Sequence, residues 1–206
     1  MSRRRAGALV VLLSLAVLVG AGGCARPSGL DVRYPEAGAN RAMLSSVESR
    51  RVEIKPVTDG RVDTTRIGSR PANGGDLVTS RPVADIVHEA LAVEIGKNGH
   101  AVVTERSNVI LAADVEEFWL DVVRGYTTTQ YVGKVVIAVT VLDGRTGDGI
   151  LTRRYVGVRR RQVDKVSDDA AREVMDAALA RSIRDLATDP ALVTAFGRVT
   201  TAAAPR

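Results

Sequence analysis

Residues 6–23 read AGALVVLLSLAVLVGAGG, an apolar run with no charge and no polar face. Polar sequence bearing Pro27, Gly29, Pro35, Gly38 and Asn40 follows as far as Arg50. It has no sustained period and reads as a flexible tether over residues 24–50, with at most a short extended piece at Leu30–Tyr34. Val52–Val57 alternates apolar with polar side chains, the period of a half-buried strand. A loop rich in Gly, Asp, Thr and Asn runs from Thr58 to Thr79. Val83, Ile86, Val87, Ala90, Leu91 and Ile95 then recur at three- and four-residue steps, which makes one apolar stripe along a helix. Ser80 is placed to cap it, Pro82 falls in its first turn, and Gly96–Gly99 supplies the stop.

Beyond a short strand at Ala101–Thr104 the period changes to two. Val109–Val123 is apolar and β-branched, interrupted by Asp114, Glu116 and Glu117. Val132–Leu142 sets Val135, Ile137, Val139 and Val141 on one face, and the Gly-rich turn from Asp143 to Gly149 leads into Ile150–Gln162. No helix-length crossover separates these strands, so an antiparallel meander is expected. Ser167 caps a second helix with Asp168 and Asp169 in its first turn, where the dipole favours negative charge. Its stripe is Ala171, Val174, Met175, Ala178, Leu179, Ser182, Ile183 and Leu186. A brief helix over Ala191–Phe196 closes at Gly197. The order predicts an α+β fold over residues 51–197: a two-layer sandwich, mainly antiparallel, with two main helices packed on one face of the sheet. Residues 198–206 read as a disordered tail.

Charge sharpens the picture at the N-terminus. The 206 residues hold 29 Lys and Arg against 24 Asp and Glu, a net +5 that hints at a polyanionic partner. Arg3, Arg4 and Arg5 sit directly before the apolar run, and small residues end it, the layout of an export signal over residues 1–23. An uncleaved membrane anchor is the competing reading, because the run is just long enough to span. Ala21-Gly22-Gly23-Cys24 resembles the bacterial lipobox, although Ala21 stands where Leu is common. That likeness implies cleavage before Cys24 and its acylation, which holds a protein on a membrane without a spanning helix. Ala25 follows where an Asp favours inner-membrane retention, so the periplasmic face of the outer membrane is the expected location. Without the leader, 26 basic residues face 24 acidic ones, a net +2.

Little in the chain suggests catalysis, and no cofactor is expected. The single cysteine excludes an internal disulfide, and as an acylated residue it is lost as a nucleophile. His88 and His100 are the only imidazoles and do not share a ligand spacing, so no metal site is expected. Asp114, Glu116 and Glu117 read as solvent-facing carboxylates. The notable cluster is Arg153-Arg154 with Arg159-Arg160-Arg161. Alternation puts Arg153, Arg159 and Arg161 on one strand face, a candidate contact for anionic lipid headgroups, with a solvated, salt-bridged strand as the plainer alternative. Export argues against nucleic acid as the partner.

The strand ending Val57-Thr58-Asp59-Gly60-Arg61, then Ile67-Gly68, the helix running into Gly99-His100-Ala101-Val102, and the closing helix with Ala177–Leu186 together resemble the YajG-like family of bacterial lipoproteins. The resemblance covers about Val52–Phe196 and implies an envelope lipoprotein with no catalytic residue to transfer. Val57, Asp59 and Arg61 match its V-x-D-x-R piece, which reads as a turn with a local ion pair. A looser likeness is to auxiliary lipoproteins of ABC-type lipid transport systems, sharing the two-layer plan. The expectation is a non-enzymatic, lipid-anchored protein that binds another envelope component; the alternative is an auxiliary subunit of an ABC-type lipid or solute transport system.

Overall fold

The structure, a computed structural model, describes residues 29–35, 42–70 and 74–199. The signal segment, Cys24 and residues 200–206 of the expected tail lie outside them. Three long strands dominate: β6 (Val109–Arg124), β7 (Thr129–Asp143) and β8 (Gly149–Val163), joined as the expected antiparallel meander. Along the free side of β6 lie three short strands end to end. They are β1 (Arg51–Ile54), β2 (Thr58–Asp59) and β3 (Gly68–Ser69), all parallel to it. β4 (Asp76–Leu77) pairs antiparallel with β3, and β5 (Ala101–Val102) pairs parallel with β1. The eight-stranded sheet is therefore mixed at one side and antiparallel through its bulk.

Both main helices, α1 (Val83–Lys97) and α2 (Asp168–Ala187), pack on one face of this sheet, and α3 (Pro190–Arg198) adds to the same layer. Their buried residues are the stripes read from the sequence, Val83 to Ile95 on α1 and Ala171 to Leu186 on α2. The sheet meets them with Val109, Leu111, Val115, Phe118 and Leu120 from β6 and Tyr131, Val135, Ile137, Val139 and Val141 from β7. The inward set of β6 changes parity midway, because Glu116 is an extra residue in a bulge between Val115 and Glu117. α2 lies close to the strands at two glycines. A Cβ on Gly157 would overlap the Ala178 carbonyl oxygen, and one on Gly133 would press Val174 and Met175.

Some boundaries move. Pro82, extended at φ −53° and ψ 138°, is the N-cap of α1, not Ser80. Ser80 is engaged elsewhere: its N–H donates to the Leu30 carbonyl at 3.0 Å, part of a parallel bridge between Leu30 and Thr79. α3 starts at Pro190, capped by the Asp189 carboxylate, and continues through Gly197. Val199, expected in the tail, is buried. The expected tether needs the larger correction. Leu30, Val32 and Leu44 are core residues, and Met43–Ser46 forms a 3-10 turn against α3. Three apolar side chains without a shared period escape any periodicity test, yet each fills the helical layer beside the sheet.

Candidate functional site

The arginine-rich strand β8 is the outer edge of the meander and, among the described strands, pairs with β7 alone. Tyr155 and Gly157 face the helices, so Arg153, Arg159 and Arg161 share that side and Arg154 and Arg160 take the open one. The structure does not gather the first three into one patch. Arg153 points to Asp189 at the start of α3, 4.0 Å away, and Arg161 pairs with Glu173 of α2. Arg154 reaches across the open face to the bulge residue Glu116, Nε to Oε2 at 2.6 Å. Among the described residues, Arg159 and Arg160 have no carboxylate partner. Cys24 lies outside the described residues.

Asp59 and Arg61 form the local ion pair that the sequence suggests. Arg61 donates from Nε to Asp59 Oδ1 at 2.7 Å and from Nη2 to Oδ2 at 2.8 Å, a bidentate arrangement. Its Nη1 also donates to the Arg66 carbonyl at 2.9 Å, so the nearly buried guanidinium closes the loop between β2 and β3. Asp63 holds the next turn by accepting from Thr65 and Arg66, and those hydrogen bonds lower its pKa to about 2. Arg66 stands over Trp119, 5.8 Å from the ring centroid. A cleft of about 480 Å³ opens there between Val62 and the Glu116–Trp119 stretch of β6.

The cleft adjoins, through Trp119, the feature that periodicity left unassigned, the sheet face that no described helix covers. Trp119, Val136, Val156 and Val158 point to this side, with Val156 45% and Val158 41% exposed. Polar side chains frame them: Arg154 with Glu116, and Lys134 with Glu117 at 2.6 Å. The strand pattern already contained this signal, because valines at alternate, nominally outward positions of β8 exceed what a solvated edge requires.

The histidines differ in setting. His88 borders surface clefts beside Ile54, whereas His100 is buried. Its Nδ1 accepts from the Arg50 N–H at 3.1 Å, which leaves Nε2 to donate to the Leu44 carbonyl at 3.2 Å. Arg50 is buried too; among the described residues its Nε and Nη1 have no hydrogen-bond partner, and Glu48 lies 3.9 Å from Nη1. Among the described residues, no group of three or more His, Cys, Asp or Glu side chains converges as a metal site would need. No helix among them is long and apolar enough to cross a membrane.

A family model described as uncharacterized lipoprotein matches residues 40–196. The chain belongs to that family. The lipoprotein shares its fold with a crystal structure of a Xanthomonas campestris protein of the family model DUF330, at a TM-score of 0.54 and 16% identity over 82% of this chain and 94% of that one. A Caulobacter crescentus protein described as a lipoprotein gives a TM-score of 0.44 at 15% identity, covering 75% of this chain and 93% of that one. No curated protein matches. The family begins inside the stretch read as a tether, in keeping with the buried Leu44.

Proposed function

We propose that this envelope lipoprotein is a non-enzymatic, YajG-like binding module on the periplasmic face of the outer membrane. Cys24 is its acylated anchor, and the open sheet face docks another envelope protein. The carrying observation is a lipoprotein-family domain whose single cysteine directly follows three arginines and an uncharged apolar run, the layout read as an export signal. Two or three acyl chains on that residue give stable membrane residence, where one chain gives only reversible binding. Ala25 after the cysteine supports sorting to the outer membrane. A half-exposed valine pair, Trp119 and a rim of charged pairs fit a protein-binding surface better than a reaction site.

Labelling cells with radioactive palmitate tests the anchor. The wild-type chain takes up label and Cys24→Ala does not; an unlabelled wild type would overturn the reading. Density-gradient separation of the two membranes tests the location. A photo-crosslinking residue in place of Val158 tests the docking face, with one at Thr146 in the β7–β8 turn as control. Adducts formed equally from both positions would count against the face.

A further inference from the structure

Gly29 stands five residues beyond Cys24 in the chain. A fully extended chain covers at most about 3.6 Å per residue, so Gly29 stands within about 18 Å of the acylated cysteine. The link is therefore short enough to orient the domain. Gly29 packs against Thr79 and Ser80, just before α1 begins. The chain then runs beside both helices: the Arg33 N–H donates to Asp176 of α2 at 2.8 Å, and the Tyr34 hydroxyl donates to Glu94 late in α1 at 2.5 Å. Gly29 thus lies at the N-terminal end of the helical layer.

The same end carries the tip of the β6–β7 hairpin. Tyr131, near the start of β7, accepts the Ser167 N–H at the cap of α2 at 3.1 Å. Arg70, beside the β3–β4 hairpin that leads to Thr79, grips Asp168 in the first turn of α2 at 2.9 Å. The hairpin tip is the tight turn from Gly125 to Thr128, closed by a 2.7 Å hydrogen bond. Tyr126 on it is wholly exposed, and Val123 and Val166 beside it are 53% and 36% exposed. Between this turn and the β8–α2 loop lies a cleft of about 470 Å³ that includes Arg124, Lys165 and the Thr127 and Thr128 residues. Asp164 is its one carboxylate. Neither Arg124 nor Lys165 has an ion-pair partner among the described residues, and Arg159 and Arg160 stand a few residues back along β8, equally without one.

We propose that the β6–β7 turn and the β8–α2 loop form a membrane-contact surface for anionic phospholipid headgroups, so that the domain stands on the bilayer at two points. The inference rests on the reading that Cys24 carries the lipid. Tyr126 has the amphipathic ring that settles at a membrane–water interface. Arg124 and Lys165 are placed for phosphate, with the threonine hydroxyls as neutral donors. Unpaired cations near an anionic bilayer draw the tip towards the surface that the short link already brings close.

The test uses the full chain, purified from membranes and reconstituted into vesicles of phosphatidylethanolamine and phosphatidylglycerol. Tyr126→Cys and Thr146→Cys are each labelled with an environment-sensitive fluorophore, and quenching is read with headgroup spin-labelled lipid. Thr146 lies in the β7–β8 turn at the opposite end of the sheet, so its label stays in water. Quenching several times stronger at position 126 than at 146 supports the inference. Arg124→Gln and Lys165→Gln should each lower the contact equilibrium about fivefold, and replacing phosphatidylglycerol by phosphatidylcholine, which removes the attraction of both, about 25-fold. Equal, weak quenching at both positions in protein shown acylated by mass spectrometry would overturn the tip contact and leave the anchor standing. Protein without acylation would overturn both.

Discussion

His100 has both ring nitrogens engaged, one accepting from the Arg50 N–H and the other donating to the Leu44 carbonyl. Protonation would turn the accepting nitrogen into a donor facing a donor. Burial is the main cause that lowers its pKa, partly offset by the Leu44 hydrogen bond, and the nearby Arg50 charge adds to the lowering. The unfolded imidazole titrates near about 6.5, above the folded value, so the unfolded chain binds the extra proton between the two. Stability is then complete above about pH 6.5 and falls as the pH drops towards the folded value. Urea midpoints at about pH 7.5 and about pH 5.5 should show this slope, and His100→Gln should flatten it. Gly157 sets a different limit. A methyl group there meets the Ala178 carbonyl, so Gly157→Ala should cost about 2–3 kcal/mol, read from denaturant unfolding, by forcing α2 off the sheet. Neither role was visible in the sequence. A lone histidine after a helix stop and a glycine between two valines show nothing of the neighbours that give them meaning.

At the scale of elements, periodicity was informative where an element presents one long face to one partner. The stripes of α1 and α2 and the alternation of β7 are such cases, and the Ser167 cap followed from residue type. The Ser167 side chain accepts from the Ala170 N–H at 3.2 Å, so Ser167→Ala should lower stability by about 1 kcal/mol in the same unfolding experiment. The two-residue strands β2, β3 and β4 were illegible, because they owe their conformation to β6 and to one another. The arginine face of β8 was read as alternation, and the carboxylates that meet it come from the two helices that follow, Glu173 on α2 and Asp189 at the start of α3. On the open face, Val156→Asp should change stability by no more than about 1 kcal/mol, since the position is already half in water. Loss of Val158 crosslinks in that variant, at unchanged stability, would separate a docking role from a packing role.

For the whole molecule, the main revision concerns where the domain begins. Leu30, Val32 and Leu44 are buried as deeply as the strand residues they adjoin, so the described stretches 29–35 and 42–50 contribute to the core. Leu44→Ala should therefore cost about 2–4 kcal/mol, where the same change in a solvated tether would cost almost nothing. The family match from residue 40 fits this boundary better than one at residue 51.

The alignment of β1, β2 and β3 along β6 also bears on the order in which the chain folds. Val52 meets Val109 and Gly68 meets Leu120, so the early strands wait for a partner more than fifty residues downstream. The β6–β7–β8 meander and α2 need only near neighbours, and contacts close in sequence form fastest. A chain synthesised from its N-terminus thus presents its parallel strands before β6 exists to receive them. Pulsed hydrogen exchange during refolding should find residues 109–163 protected before residues 51–77, with the N-terminal half docking last onto a template laid down by the C-terminal half.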